Sequence, residues 1–211
     1  EADIFLKNNN LDSITITNEK RSELEEFIEL YSTYFDMNEI HKFHSMDIGD
    51  KTYFKKGIDT NIDKTIDDIN TIKKYFENLC ENMSCVTGDI DNKLAFKYQY
   101  LNKEGFSIKC SKSRTKKLKE AIDKKNLHNL DSYIQSNTLE FKTQSNDTKI
   151  TSKEFQKKSK QYDLLLDKLK KTQNQLFYNI LGEFQEKYQD LLHLLVKTTA
   201  HIDVFVSNAK T

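Results

Sequence analysis

Leu94-Ala95-Phe96-Lys97-Tyr98-Gln99-Tyr100 is followed, after Leu101, by Asn102-Lys103-Glu104-Gly105 and then by Phe106-Ser107-Ile108-Lys109-Cys110-Ser111. In the first run Leu94, Phe96, Tyr98 and Tyr100 alternate with Ala95, Lys97 and Gln99. In the second, Phe106, Ile108 and Cys110 alternate with Ser107, Lys109 and Ser111. Successive strand side chains point to opposite faces, so alternation of this kind predicts two half-buried strands. The residues between them form a hairpin turn, with Gly105 where a positive φ costs least. Lys103, Lys109, Lys112, Arg114, Lys116, Lys117 and Lys119 crowd around and beyond the turn. Such a cluster either meets the phosphates of a polyanion or is a solvated Lys-rich face, and charge alone favours the second.

Working outward, each side of this basic β unit carries a long amphipathic helix. Upstream, Asp59 or Thr60 caps a helix with Asp63 in its first turn, where the dipole favours an anion. Its apolar positions are Ile62, Ile66, Ile69, Ile72, Phe76, Leu79 and Met83. They form one stripe over about 24 residues, roughly 36 Å. Downstream, Ser113 to Lys125 fits a short helix with Leu118 and Ile122 inward. Tyr133 to Phe141 supplies a third strand, and Gln144 to Thr148 reads as a mobile polar loop. Thr151-Ser152-Lys153-Glu154 fits a capping box. Phe155, Tyr162, Leu169 and Leu176 then recur with heptad spacing, with Leu166 and Ile180 between, as in a coiled-coil seam. This helix runs to about Tyr188, roughly 50 Å. Leu191 to Val206 is apolar on more than one face and is expected in a core, much of which would lie outside this chain.

The amino-terminal part is less patterned. Residues 1–20 are mixed. Leu24, Phe27, Ile28, Tyr31 and Phe35 share a face of a helix from Arg21 to about Tyr34, capped by Thr17 or Asn18. Asp36 to Met46 is a short helix or loop, and Ile48 to Lys55 is extended. His41 and His44 can share a helical face, but no third ligand is near, so no metal is expected. His193 and His201 fall on the apolar last segment and read as core residues.

The fold class expected is mainly α with a small β insertion: long antiparallel helices carrying a β-sheet subdomain at their tip. The domains are a partial helical core or connector (1–58), an outgoing helix (59–87), a β-rich subdomain (88–149), and a returning helix followed by a core helix (150–211).

Composition narrows the function. Of 211 residues, 31% are charged and none is Pro or Trp, which suits long exposed helices. Net charge is zero overall but segregated: −8 over 1–87, +5 over 88–149 and +3 over 150–211. The basic middle is the part suited to an anionic partner. Cys80, Cys85 and Cys110 form no disulfide framework, which points to a reducing intracellular compartment. No apolar run reaches membrane-spanning length. The first residue is Glu, as expected for a piece of a longer protein. The five glycines are too far apart for a phosphate-cradling loop, and no catalytic constellation stands out, so the chain itself is expected to be non-enzymatic.

Several ordered motifs resemble the MutS family of DNA mismatch-repair proteins, in the region of its core, levers and clamp. Gly57-Ile58-Asp59-Thr60-Asn61-Ile62-Asp63 resembles the G-x-D-x-x-L-D that opens the outgoing lever. Tyr100 with Gly105-Phe106-Ser107-Ile108 resembles the clamp hairpin. Tyr133 with Thr138-Leu139 resembles Y-x-R-R-Q-T-L, although Gln135 and Ser136 replace its two arginines. Ile150-Thr151 with Glu154-Phe155 resembles the I-T-P-E-L of the returning lever. Ile202-Asp203-Val204 with Ala209 resembles the close of the core. The set spans about residues 48–209, with a loop at Glu140 to Lys149 longer than the usual bacterial version, while Ser111-Lys112-Ser113-Arg114 and the basic helix after it resemble divergent viral or organellar branches.

The resemblance implies a clamp that holds the backbone of double-stranded DNA without reading sequence, facing a second MutS-like protomer, with no membrane involved. It places ATP and Mg in an ATPase domain that would follow Thr211, and no cofactor in this chain. Phosphate contacts are expected from Lys109, Lys112, Arg114, Lys116, Lys117, Lys142 and Lys149. The alternative is a coiled-coil scaffold whose basic tip binds an acidic protein.

Overall fold

A computed structural model describes residues 17–40, 49–89, 95–127, 130, 133, 138–143 and 147–209. In chain order its elements are α1 (Asn18–Tyr34), α2 (Met37–Ile40), α3 (Thr60–Thr87), β1 (Phe96–Leu101), β2 (Gly105–Ser111), α4 (Lys112–Asp123), β3 (Glu140–Thr143), β4 (Asp147–Thr151) and α5 (Lys153–Ala209). The fold is mainly α with one small antiparallel sheet. The chain divides into two units, Thr60–Lys171 and Glu1–Asp59 with Thr172–Thr211.

The first unit contains the sheet, in the order β1-β2-β4-β3. Phe96 pairs with Cys110, Tyr98 with Ile108 and Tyr100 with Phe106. Ile108 pairs with Ile150, and Phe141 with Ile150 from the other side. Partners in a ladder share a face, so these residues form one apolar inner face. The helices cover it. Phe76 of α3 stacks on Phe106 with ring centroids 4.3 Å apart and planes 20° apart. Phe155 of α5 meets Phe76 edge-on at 5.0 Å, and Tyr162 meets Phe106 at 5.0 Å. On α4, Leu118 is fully buried and Lys119 Nζ sits 4.8 Å from the Phe141 ring centre. The expected α3 stripe is buried at Ile62, Ile69, Ile72, Phe76, Leu79 and Met83, each such side chain contributing about 1.5–3 kcal/mol relative to exposure.

The hairpin is locked to α5 at its root. Gly105 has φ +72°, and a Cβ there would lie 2.4 Å from Ser159 Oγ. That hydroxyl accepts the Phe106 N–H at 2.8 Å and donates to the Phe155 carbonyl at 2.7 Å. The glycine thus serves both the turn and a close helix approach. The Tyr100 hydroxyl also donates to the Asp163 carboxylate. The sheet therefore lies against the helices.

Several boundaries differ from expectation. The third strand begins at Glu140, leaving Thr138 and Leu139 outside it. Asp147 and Thr148, expected in a mobile loop, belong to β4, and Thr148 is 1% exposed. Thr151 ends β4 and does not cap. Ser152 does, its hydroxyl accepting the Phe155 N–H at 3.2 Å. The sheet claims Thr151 because its partner Glu140 extends the ladder.

The second unit is held by aromatic contacts. Thr17 caps α1, accepting the Lys20 N–H at 3.2 Å. Phe27 meets Phe184 at 5.4 Å and Tyr188 at 5.1 Å. Phe35 stacks on Phe54, to which it is joined by an isolated antiparallel bridge. Ile28, expected on the shared face, is 54% exposed. The Gln173 amide donates to the Lys51 carbonyl at 3.2 Å. The returning helix and the expected core helix are one continuous helix, since no Pro or Gly breaks the pattern beyond Gly182. In its last part Leu191 and Thr198 are buried, whereas Val196, Ile202, Val204, Phe205 and Val206 are exposed. His193 is exposed as well, and His201 is partly so. The expectations at His41 and His44 lie outside the described residues.

Candidate functional site

The second face of the sheet carries the charge. Because β-pairing puts partners side by side, the register fixes a row. Lys97 pairs with Lys109, Lys109 with Lys149, and Lys149 with Lys142. Four lysines thus lie directly opposite one another across all four strands. At the usual strand spacing the row is about 14 Å long. Like charges directly opposite destabilise a sheet, so the row works against folding, least at the two steps that contain Lys149, which is paired with Glu104.

The members differ in environment. Lys97 and Lys142 are exposed, Lys109 is partly buried, and Lys149 is 9% exposed. Lys149 donates to the carboxylate of Glu104, which reaches back from the β1–β2 turn. That hydrogen bond, followed by the charge of Lys149 and then those of Lys109 and Lys142, holds the Glu104 carboxyl below its ordinary range. Among the described residues Lys97, Lys109 and Lys142 have no ion-pair partner. Beneath them the Gln99 amide donates to Ser107 Oγ at 3.2 Å, tying β1 to β2 on this face.

The α4 helix starts where β2 ends, capped by Ser111, whose hydroxyl accepts the Arg114 N–H at 3.4 Å. Its first turn contains no acidic residue, and Lys112, Arg114, Lys116 and Lys117 fall within its first six positions. Cations at the positive end of a helix dipole are unfavourable by a few tenths of a kcal/mol each, roughly. The end of the lysine row and the start of α4 border an open cleft of about 390 Å³, lined by Lys97, Gln99, Lys109, Ser111, Arg114 and Asp147 among others.

The sequence-predicted contacts fall into three groups. Lys109, Lys142 and Lys149 come together in the row. Lys112 and Lys116 are exposed on α4. Arg114 and Lys117 are tied to the end of α3: Arg114 Nε lies 3.4 Å from Asp89, and Lys117 Nζ donates to the Thr87 carbonyl at 3.5 Å. The structure adds Lys97 and Glu104, which the sequence reading passed over. Lys97 was legible, since pairing the two strands across their turn sets it opposite Lys109. Glu104 was not, because its partner lies 45 residues on.

Other chemistry finds little here. Burial pushes the Cys80 thiol up to about 12 and raises that of Cys110, so both behave as small apolar groups. Among the described residues no group of three or more His, Cys, Asp or Glu is placed to hold a metal ion. No described helix is long and apolar enough to cross a membrane. What the face offers is a line of ammonium donors, of which Lys149 meets Glu104, with Glu140 and Asp147 on the same face two residues from Lys142 and Lys149. Neither a protein-family model nor a curated protein matches the chain.

Proposed function

We propose that the lysine face of the sheet, with the first turns of α4, holds the sugar–phosphate backbone of double-stranded DNA without reading base sequence. The observation that carries this reading is the row Lys97–Lys109–Lys149–Lys142. Four opposed like charges are a cost to the isolated sheet that a polyanion removes. The cations gathered at the start of α4 add to the same field. Lysine ammoniums are point charges suited to phosphates, whereas base edges are read mostly by bidentate Arg, Asn and Gln. The face therefore fits backbone contact better than base readout.

The contacts are Lys97, Lys109, Lys142 and Lys149 in the row and Lys112 and Lys116 on α4, with Arg114 and Lys117 in support. The motif resemblance gives this surface its setting: the clamp of a MutS-like mismatch-repair protein, closing on DNA with a second protomer. In that setting ATP and Mg act in an ATPase domain outside this chain, and the chain is a binding module rather than a catalyst.

The test is fluorescence anisotropy of two fully paired duplexes of unrelated sequence, each titrated with the chain at several salt concentrations. Dissociation constants on the order of 10⁻⁴–10⁻⁶ M, alike for both duplexes and steeply salt-dependent, are expected. Absence of binding at low salt, or a strong preference for one sequence, would overturn the reading.

A further inference from the structure

Glu104 is the anion of the lysine row. It stands on the β1–β2 turn with its side chain 56% exposed, while the Lys149 side chain that it meets is 11% exposed. The register places Lys109 and Lys142 on either side of Lys149. Only Lys149 meets the carboxylate directly, while Lys109 and Lys142 flank it closely enough for their charges to act on Glu104, with Asp147 and Glu140 standing farther along the same face. A phosphate oxygen accepts from an ammonium as a carboxylate does, and such charge-assisted bonds are the strong ones. A nearly buried ammonium also cannot be left bare without a large desolvation penalty, so any anion that displaces Glu104 must replace it. The geometry allows the exchange: Glu104 lies at the end of an exposed four-residue turn, and rotation of its side chain leaves the Glu104 N–H bond to the Leu101 carbonyl (2.9 Å) in place.

We propose that the space among Lys109, Lys149 and Lys142 is a phosphate seat that Glu104 occupies in the free protein, and that an incoming phosphate takes it by displacing the carboxylate. Glu104 is then a built-in competitor that weakens anion binding and keeps Lys149 satisfied when no ligand is present. This deepens the DNA-backbone reading, but the seat is defined by phosphate chemistry. The phosphate comes either from a nucleic-acid backbone or from a free polyphosphate, and the two sources are separable.

The experiment compares the wild-type chain with Glu104→Gln, which keeps the side chain's size and removes its charge at an exposed position. The duplex titration is run on both. Inorganic pyrophosphate is titrated into both in ¹⁵N-labelled form, following the backbone amide resonances at position 104, Gly105 and Lys149. Glu104→Gln is expected to tighten duplex and pyrophosphate binding about three- to tenfold at low salt, as loss of one competing charge implies. The Gly105 and Lys149 amides should shift saturably with pyrophosphate. Lys149→Gln in the Glu104→Gln background should cancel the gain. Duplex affinity that is equal in the two proteins, with no pyrophosphate shift at these amides, would overturn the seat and leave the DNA reading standing. Pyrophosphate binding that tightens in Glu104→Gln while neither protein binds duplex would keep the seat and remove DNA as its source. Failure of both ligands with both proteins would overturn both.

Discussion

The two faces of the four-stranded sheet obey opposite rules. The inner face joins Tyr98, Phe106, Ile108 and Ile150 to α3, α4 and α5, and its ring stacking is what folding rewards. The outer face sets four lysines in register, which folding penalises. Both come from one alternating sequence, because a strand that places Phe106, Ile108 and Cys110 inward must place Ser107, Lys109 and Ser111 outward. The lesson is that the apolar face and the charged face are separable here by residue parity, so substitutions can be aimed at either.

The largest effect belongs to the inner face. Phe76 contacts Phe106, Tyr98 and Phe155 and is fully buried. Phe76→Ala should destabilise its unit by about 3–5 kcal/mol, read as a lowered denaturation midpoint. At the hairpin root, Gly105→Ala combines a left-handed backbone with a Cβ driven into Ser159. A loss of about 2–4 kcal/mol is expected by the same measurement. The outer face should behave in the opposite sense: Lys109→Gln removes the charge with a lysine on each side and should raise stability by about 0.2–1 kcal/mol. Lys112→Gln with Lys116→Gln should add a few tenths of a kcal/mol, roughly, by relieving the start of α4. If either change to the outer face destabilises the chain substantially, the contrast between the faces fails.

The smallest expected effect is on acid titration. Lys149 holds the Glu104 carboxyl below its ordinary value. A group depressed in the folded state contributes stability above its unfolded pKa, about 4.3, and loses it as pH falls through the lower folded value. The wild-type chain should therefore lose slightly more stability than Glu104→Gln between about pH 5 and pH 3. Thermal midpoints of the two proteins across that range check the sign.

How much of this was legible depended on how local the cause was. The α3 stripe from Ile62 to Met83 and the hairpin around Gly105 could be read directly, because helical and strand periods leave their mark within a dozen residues. The cap at Ser152 could not be told from one at Thr151, since pairing with Glu140 decides it. Asp147 and Thr148 looked like loop because a polar strand is stabilised by its neighbours, here Ser111 and Cys110, more than by its own composition. The exposed Val204, Phe205 and Val206 show the limit of an apolar pattern: it marks surface suited to burial, without saying that this chain buries it. Of the lysine face, the individual lysines were visible, but the row was not. It exists only once β4 is known to lie between β2 and β3.

The most direct test of the row is the salt dependence of duplex binding by the wild-type chain and by the triple variant Lys97→Gln, Lys109→Gln, Lys142→Gln. The account predicts an unchanged or slightly higher melting temperature, weaker binding, and a log–log salt slope shallower by about 2.7, or 0.9 for each phosphate contact removed. An intact triple variant that binds duplex with the wild-type slope and affinity would contradict it.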